Sequence, residues 1–364
     1  MKILDKYIIV KFIQTFIFII LILSTIVLTI DISEKLNKIE TNGSTLSDAL
    51  IQYYPYWVVW LTNTFIAIAV FISVIFFTSQ LSEKTEIVAM TTSGISFKRL
   101  TLPYIIIAGL VFFTSLTINH FILPWANIKI NKYQFAYLQN RQKNDEFLYN
   151  RKIAVQISNN EYLFVHNFNR ADNEGEGMLY QKFNGHKLIE SCKAARIKWL
   201  PEESTYELMD AYEYYYRDNK PDSLVHNVVT KKKIKATPDD ILPEAYVAET
   251  MNTIKLLEFI KKERLKGSAD VDVYLSVLHK RTSLPFSTII LTLLGFSIAS
   301  EKRRGGIGFN IALGGVLAFI FVFTNQMTSV FSDHNVINPF IGSWIPNIIF
   351  SFITAYFLIR RSKL

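Results

Sequence analysis

From Ala49 to Ser82 the chain carries no Asp, Glu, Lys or Arg, and from Leu100 to Ile128 it again carries none. A helix needs roughly 20 consecutive apolar residues to cross a hydrocarbon core. Each run is long enough to do so, and four more apolar runs accompany them: Phe12–Ile30, Thr282–Ile298, Ile307–Val330, and a last run ending at Arg360. Half of the 364 residues are apolar. The pattern describes an integral membrane protein with six spans. A formal net charge of +8 could point to nucleic acid, but many basic residues stand at the ends of apolar runs. That placement fits membrane topology.

Basic residues prefer the cytosolic side of short loops. Lys2, Lys6 and Lys11 precede the first span. Lys84, Lys98 and Arg99 follow the second, Lys302, Arg303 and Arg304 follow the fourth, and Arg360, Arg361 and Lys363 close the chain. This predicts cytosolic termini. The first run is too long for a signal-peptide core and no small-residue cleavage site follows, so it reads as a retained anchor. Tyr53, Tyr54, Tyr56, Trp57 and Trp60 predict an aromatic belt at the outer boundary of the second span. The third span is expected to end near Pro124-Trp125.

Residues 127–272 differ in kind. They are charged and rich in tyrosine, and they contain no span. A polar helical stretch is expected near Lys129–Lys143. Ile153, Val155 and Ile157 then alternate with less apolar neighbours, which places one strand face on a core. Tyr162–Val165 is a short apolar run, Asn184-Gly185 is a hairpin signal, and Ala195–Leu200 and Thr205–Tyr216 continue the pattern. Strands at this spacing suggest a β-sandwich or jelly roll. Thr253–Lys266 has helical spacing and ends at Gly267. The predicted organisation is therefore residues 1–126 with three spans, an extracytoplasmic β-domain over 127–272, and 273–364 with three more spans.

Between the second and third spans lies a short polar stretch, Gln80–Arg99. Ser82 can cap a helix, Glu83 and Glu86 suit the positive end of its dipole, and Gly94 is a natural stop. A helix over 83–93 is expected. It serves either as a linker between spans or as a coupling helix that docks a cytosolic partner.

Chemistry is sparse. No Gly-x-x-x-x-Gly-Lys-Ser/Thr loop occurs, so ATP hydrolysis is not expected of this chain. Gly305, Gly306 and Gly308 read as a flexible turn. The six histidines are scattered without close ligand spacing, and no metal or cofactor is expected. The single cysteine, Cys192, excludes an internal disulfide. Ion-coupled carriers keep ionisable groups at mid-membrane. Here the polar candidates are His120 and the pair Asn325-Gln326, the pair read as bonding to a neighbouring helix. The energy source is therefore expected in a partner. Lys35 and Lys38, beside Asp31 and Glu34 at the end of the first span, could pair with lipid phosphates or simply anchor at the interface.

Several motifs carry a family resemblance. These are the opening Leu4-Asp5-Lys6-Tyr7-Ile8, the stretch Glu86-Ile87-Val88-Ala89-Met90-Thr91-Thr92-Ser93-Gly94, His279-Lys280-Arg281 with Pro285-Phe286, and the closing Arg360-Arg361. Together with the layout, they resemble the LptF/LptG permeases of the lipopolysaccharide exporter over essentially the whole chain. The opening resembles the G-type subunit more than the F-type.

The resemblance implies a non-catalytic permease subunit in the inner membrane with an open jelly roll. Its partners would be a second such permease, a dimer of the cytosolic ATPase LptB, the periplasmic bridge proteins LptC and LptA, and lipopolysaccharide itself. It implies that Glu86 contacts the ATPase, with Glu83, Met90 and Gly94 in the same coupling element. It also implies that Lys38 and the nearby Lys35 belong to a phosphate-binding cluster, in which Asp31 and Asn37 stand where lysine is expected. A membrane-anchored scaffold, or a lipoprotein-type ABC permease, is the alternative reading.

Overall fold

The computed structural model describes residues 3–138, 153–158, 160–169, 173–217, 220–238, 247–268, 270–301 and 305–362. Lys302, Arg303, Arg304, Lys363 and the end of the expected 129–143 helix lie outside them. The chain divides into two compact units. The first comprises Met1–Leu138, Ala248–Leu256 and Asp272–Leu364, and the second Gln139–Val247 and Leu257–Val271.

Six helical stretches are long and apolar enough to cross a membrane. They are α1 (Ile3–Thr41), α3 (Tyr54–Glu83), α5 with its continuation (Phe97–Leu138), α9 (Val271–Ala299), α10 (Gly306–Asp333) and α11 (Pro339–Ser362). A short α2 (Leu46–Gln52) joins α1 to α3 and is opened by a capping box between Thr45 and Asp48. α1 contains neither Gly nor Pro and runs unbroken. α5 (Phe97–Thr117) does not stop at Pro124. It widens into a π-turn over Ile118–Ile122, continues as α6 (Leu123–Tyr133), and ends in a second π-turn over Gln134–Leu138. A proline in the first turn of a new helical segment interrupts no bond that the segment needs. This is why Pro124, expected to end the span, instead restarts it.

α3 is the centre of the first unit. Val70, Val74, Phe77 and Leu81 pack with Ile8 and Phe12 of α1, Leu100 and Tyr104 of α5, and Phe296 of α9. Phe71 and Ile75 pack with Leu291, Leu294 and Ile298 of α9, Phe321 of α10 and Phe350 of α11. Apolar burial alone gives helices in lipid little reason to associate, so close backbone approach and interhelical hydrogen bonds must supply it. Both are present. A Cβ on Gly295 would stand 3.2 Å from Phe71 and Val74 side-chain atoms. Asn310 donates to Ser79 Oγ at 3.0 Å, Asn347 donates to the Ser283 carbonyl at 2.7 Å, and the Thr78 and Tyr104 hydroxyls bond at 3.0 Å. The expected pair Asn325-Gln326 does not serve this way: among the described residues, neither side chain bonds to a neighbouring helix, and Gln326 is exposed.

The second unit holds one antiparallel sheet with strands in chain order. These are β1 (Ile153–Ser158), β2 (Glu161–Asn169), β3 (Glu174–Asn184), β4 (Lys187–Leu200), β5 (Thr205–Arg217) and β6 (Lys220–Lys232). Every described pairing is between chain neighbours, so the all-β insertion is a meander. The crossed connections of a sandwich or jelly roll are absent among the described strands. Gly185 at φ +60° turns β3 into β4. Cross-strand register builds one apolar face: Val165, Met178, Ala194 and Ala211 form one row, and Leu163, Tyr180 and Cys192 the next. All are buried. Burial pushes the Cys192 thiol up to about 11, so it stays protonated and inert at neutral pH.

After the sheet come a single turn, α7 (Val247–Thr250), and α8 (Thr253–Lys266). Gly267 at φ +70° follows α8.

Candidate functional site

The candidate coupling element is the corner between α3 and α5. α3 runs on through Ser82 to Glu83, because its apolar face continues through Leu81 into the core. Ser82 is therefore a buried residue of α3 and not a cap. The chain reverses at Lys84–Thr85, with Thr85 in the left-handed conformation at φ +61°. α4 then runs only from Glu86 to Thr92. The helix expected over 83–93 is thus two pieces, and Glu83 belongs to the end of the preceding span. Gly94 at φ +90° turns the chain out of α4. Ser96 caps α5, accepting from the Arg99 amide at 3.3 Å.

α4 has two faces. Ile87 is buried and Met90 packs partly against the same cluster as Ile8, Phe12, Leu100 and Phe296. Val88, Ala89, Thr91 and Thr92 are exposed. The helix is thus anchored on one side and presents a small, uncharged face on the other. Glu86 accepts a hydrogen bond from the Tyr7 hydroxyl of α1 at 3.0 Å. Glu83 points elsewhere: a Cβ on Gly306, at the start of α10, would lie 3.6 Å from its Oε1. Arg99 grips the buried carboxylate of Asp5 with both terminal nitrogens, at 2.7 and 2.8 Å. At the same end of the helices, Arg361 donates to the Ser300 carbonyl at 3.1 Å. The structure therefore brings Glu86, Met90 and Gly94 into one corner with Glu83 at its edge. Asp5 and Tyr7, noted in the sequence only within the opening motif, and Arg99, noted only for topology, complete it.

Lys35 and Lys38 lie at the opposite end of α1. Lys35 is already engaged. It pairs with Asp31 at 2.6 Å, donates to the Tyr53 hydroxyl at 3.0 Å, and lies 5.3 and 5.5 Å from the ring centres of Tyr53 and Trp57. Gln134 donates to the same tyrosine hydroxyl at 3.2 Å. Tyr53, Tyr54 and Trp57, expected to form an interfacial belt, are buried with Ile39, Leu61, Ile130 and Tyr133. Lys38 is exposed in the last turn of α1 and makes no ion pair among the described residues.

A third polar group lies where the chain returns to the first unit. Arg281 of α9 donates to the carbonyls of Ala248 at 3.0 Å and Met251 at 2.7 Å, and to Thr253 Oγ1 at 3.1 Å. His120 Nδ1 bonds the same threonine oxygen at 2.8 Å. Asn127 donates to the Glu249 carbonyl at 3.3 Å. His120, read from sequence as a mid-membrane candidate, is thus part of a clamp on residues 248–253. Apart from His120, the His279-Lys280-Arg281 motif was the sequence sign of this group.

Residues 6–360 match the family described as the lipopolysaccharide export system permease LptF/LptG. Two curated relatives are each named lipopolysaccharide export system permease protein LptG, one from Escherichia coli strain K12 and one from Escherichia coli O6:H1 strain CFT073. Each is 23% identical over 205 residues. The alignment covers 56% of this chain and 56% of each relative, so the chain spans about half the length of the curated relatives it matches.

Proposed function

Because the chain belongs to the lipopolysaccharide export permease family LptF/LptG, we propose that it is a non-catalytic permease subunit of an ATP-driven exporter in the bacterial inner membrane. It extracts lipopolysaccharide from the outer leaflet and passes it into its β-domain. The ATP is hydrolysed by a separate cytosolic dimer of the LptB type. A second permease of the family completes the membrane channel, and bridge proteins of the LptC and LptA type receive the lipid.

The observation that carries this reading is the α4 corner. A force transmitter must be fixed to the spans yet exposed to its partner. Ile87 and Met90 meet the first requirement, and the Val88–Thr92 face meets the second. The α4 corner, the start of α10 and both termini then face the cytosol, and the β-domain faces the periplasm. Beyond Phe12 the apolar stretch of α1 has no fully buried residues, and that of α10 is mostly unburied. These faces suit the second permease and the lipid. The apolar sheet face is covered by the domain itself; opened to acyl chains, it would shelter them from water, worth about 25 cal/mol per Å². In this reading Lys38 contacts the phosphates directly, and Lys35 joins it once its pairing with Asp31 opens.

The test is co-purification of wild type and a Glu86→Ala variant with candidate cytosolic ATPases, followed by ATP-dependent release of lipopolysaccharide from proteoliposomes. Wild type is expected to bring down an ATPase and release lipid, and the variant to lose one or both. Absence of any ATPase with wild type would overturn the reading.

A further inference from the structure

We propose that Tyr7, with Asp5, makes α1 a lever driven directly by α4. This rests on the permease reading above and deepens it by assigning a positioning role to the opening Leu4-Asp5-Lys6-Tyr7-Ile8 motif. Through the chain itself, α4 connects only to α3 and α5. The structure adds a third connection. The Tyr7 hydroxyl holds Glu86 at the start of α4 at 3.0 Å, and the Asp5 carboxylate holds Arg99 just beyond its end. The first turns of α1 thus grip both sides of the corner. Ile8 and Phe12, one and two turns further along α1, pack in the cluster that receives Ile87 and Met90.

The rest of α1 suits a lever. It is one helix from Ile3 to Thr41 with no Gly or Pro to absorb a bend. At 1.5 Å per residue it delivers motion over about 58 Å. Between Ile13 and Ile30 no residue of α1 is fully buried, so its outward side is free to move while its inner side stays packed on α3. Its far end carries Asp31, Lys35 and Lys38. A displacement of α4 therefore has a continuous helix, α1, along which to reach the Asp31–Lys35 pair. Tyr7 acts through Glu86 and touches no substrate, so it is a positioning residue.

The experiment uses the complete complex, with partner permease and ATPase, in proteoliposomes. Tyr7→Phe removes one hydroxyl from a partly exposed ring. The variant is expected to retain its ATPase while lipid released per ATP falls at least threefold. Spin labels at Ser33 and Val336, both exposed, are expected to change separation on nucleotide addition in the wild-type sequence and not in the Tyr7→Phe form. Undiminished lipid release per ATP or unchanged label movement in Tyr7→Phe would each overturn the lever. If the wild-type complex binds no ATPase, the permease reading fails and the lever falls with it. If wild type transports and Tyr7→Phe does so equally well, only the lever fails.

Discussion

The carboxamides of Asn63 and Asn119 face one another and exchange hydrogen bonds in both directions, at 3.1 and 2.8 Å. Both residues are buried. Asn119 also donates to the Ser115 carbonyl at 2.8 Å, a bond from the widened turn back to the last turn of α5. The pair joins α3 to the π-segment and fixes where the third span changes its winding. Interhelical hydrogen bonds of this kind are worth about 0.6 to 1.7 kcal/mol in membrane proteins. Asn63→Leu is expected to lower unfolding stability in detergent or bicelles by about 1 kcal/mol. It is also expected to speed hydrogen exchange at residues 118–122 first.

Gly295 is a close contact with little room for a side chain. An added Cβ would meet Phe71 Cδ2 and Val74 Cγ1 at 3.2 Å and the Phe71 carbonyl at 3.3 Å. The carbonyl cannot swing aside as a side chain can. Gly295→Leu is expected to separate α9 from α3 and cost about 1–3 kcal/mol or more, as overpacking does. Gly308→Leu, where an added Cβ meets nothing within 4 Å, is expected to be near neutral. Thermal melts of the two purified variants decide this.

Gly94 is constrained by its backbone alone. A Cβ there would touch nothing within 4 Å, but φ is +90°. Gly94→Ala is expected to cost about 1–2 kcal/mol through the conformational penalty, paid locally. The overall melting temperature should move little, while protection of the amides of residues 86–92 falls. Limited proteolysis at the α4 corner gives an independent reading.

Arg281 satisfies the carbonyls of Ala248 and Met251 at once. Arg281→Lys keeps the charge but loses the planar fork that reaches two acceptors. It is expected to loosen residues 248–253, seen as faster hydrogen exchange there, with the sheet unaffected. Arg281→Leu is expected to do so more strongly, because the buried Ala248 carbonyl loses its donor, at about 1–3 kcal/mol, and the part-buried Met251 carbonyl loses its own.

Cys192 gives a chemical check on the sheet. With its thiol pushed up to about 11 by burial, only about a thousandth is thiolate at pH 8. Alkylation of the folded protein at pH 8 is expected to be slow, and to accelerate sharply in denaturant. A thiol raised in the folded state binds its proton where the unfolded chain has lost it. Its effect on stability is therefore neutral below the unfolded value of 9.0 and turns unfavourable as pH rises toward 11. Melting temperatures between pH 7 and pH 10.5 test the sign.

The six membrane-length helices were legible because insertion into lipid leaves little choice: an uncharged run of that length has few other fates. The strands with clean alternation, such as Ile153–Ser158, were legible for the same kind of reason. β6 was not. It carries Pro221 and several lysines, and it is an edge strand, where proline and charge are tolerated. The limits of α4 were misread because Ser82 and Gly94 looked like matching caps, although Ser82 lies on the buried face of α3. Tyr53 and Trp57 show a further limit, since amphipathic rings suit an interface and a core equally well. The bond from Tyr7 to Glu86 joins residues 79 apart. No local pattern announces such a partner, even though both residues stood in motifs noted in the sequence.

The first unit is discontinuous in sequence, and this sets an order of assembly. Phe71 and Ile75 of α3 find their packing partners in Leu291, Phe321 and Phe350, which are synthesised only after the whole β-insertion. The insertion pairs each strand with its immediate predecessor. Such local contacts close small loops and form quickly. The sheet can therefore complete itself on the emerging chain while α3 still lacks its partners from α9, α10 and α11. The membrane unit is finished last, when α9 to α11 arrive, so a nascent chain halted before α9 would carry a folded sheet beside an unfinished bundle.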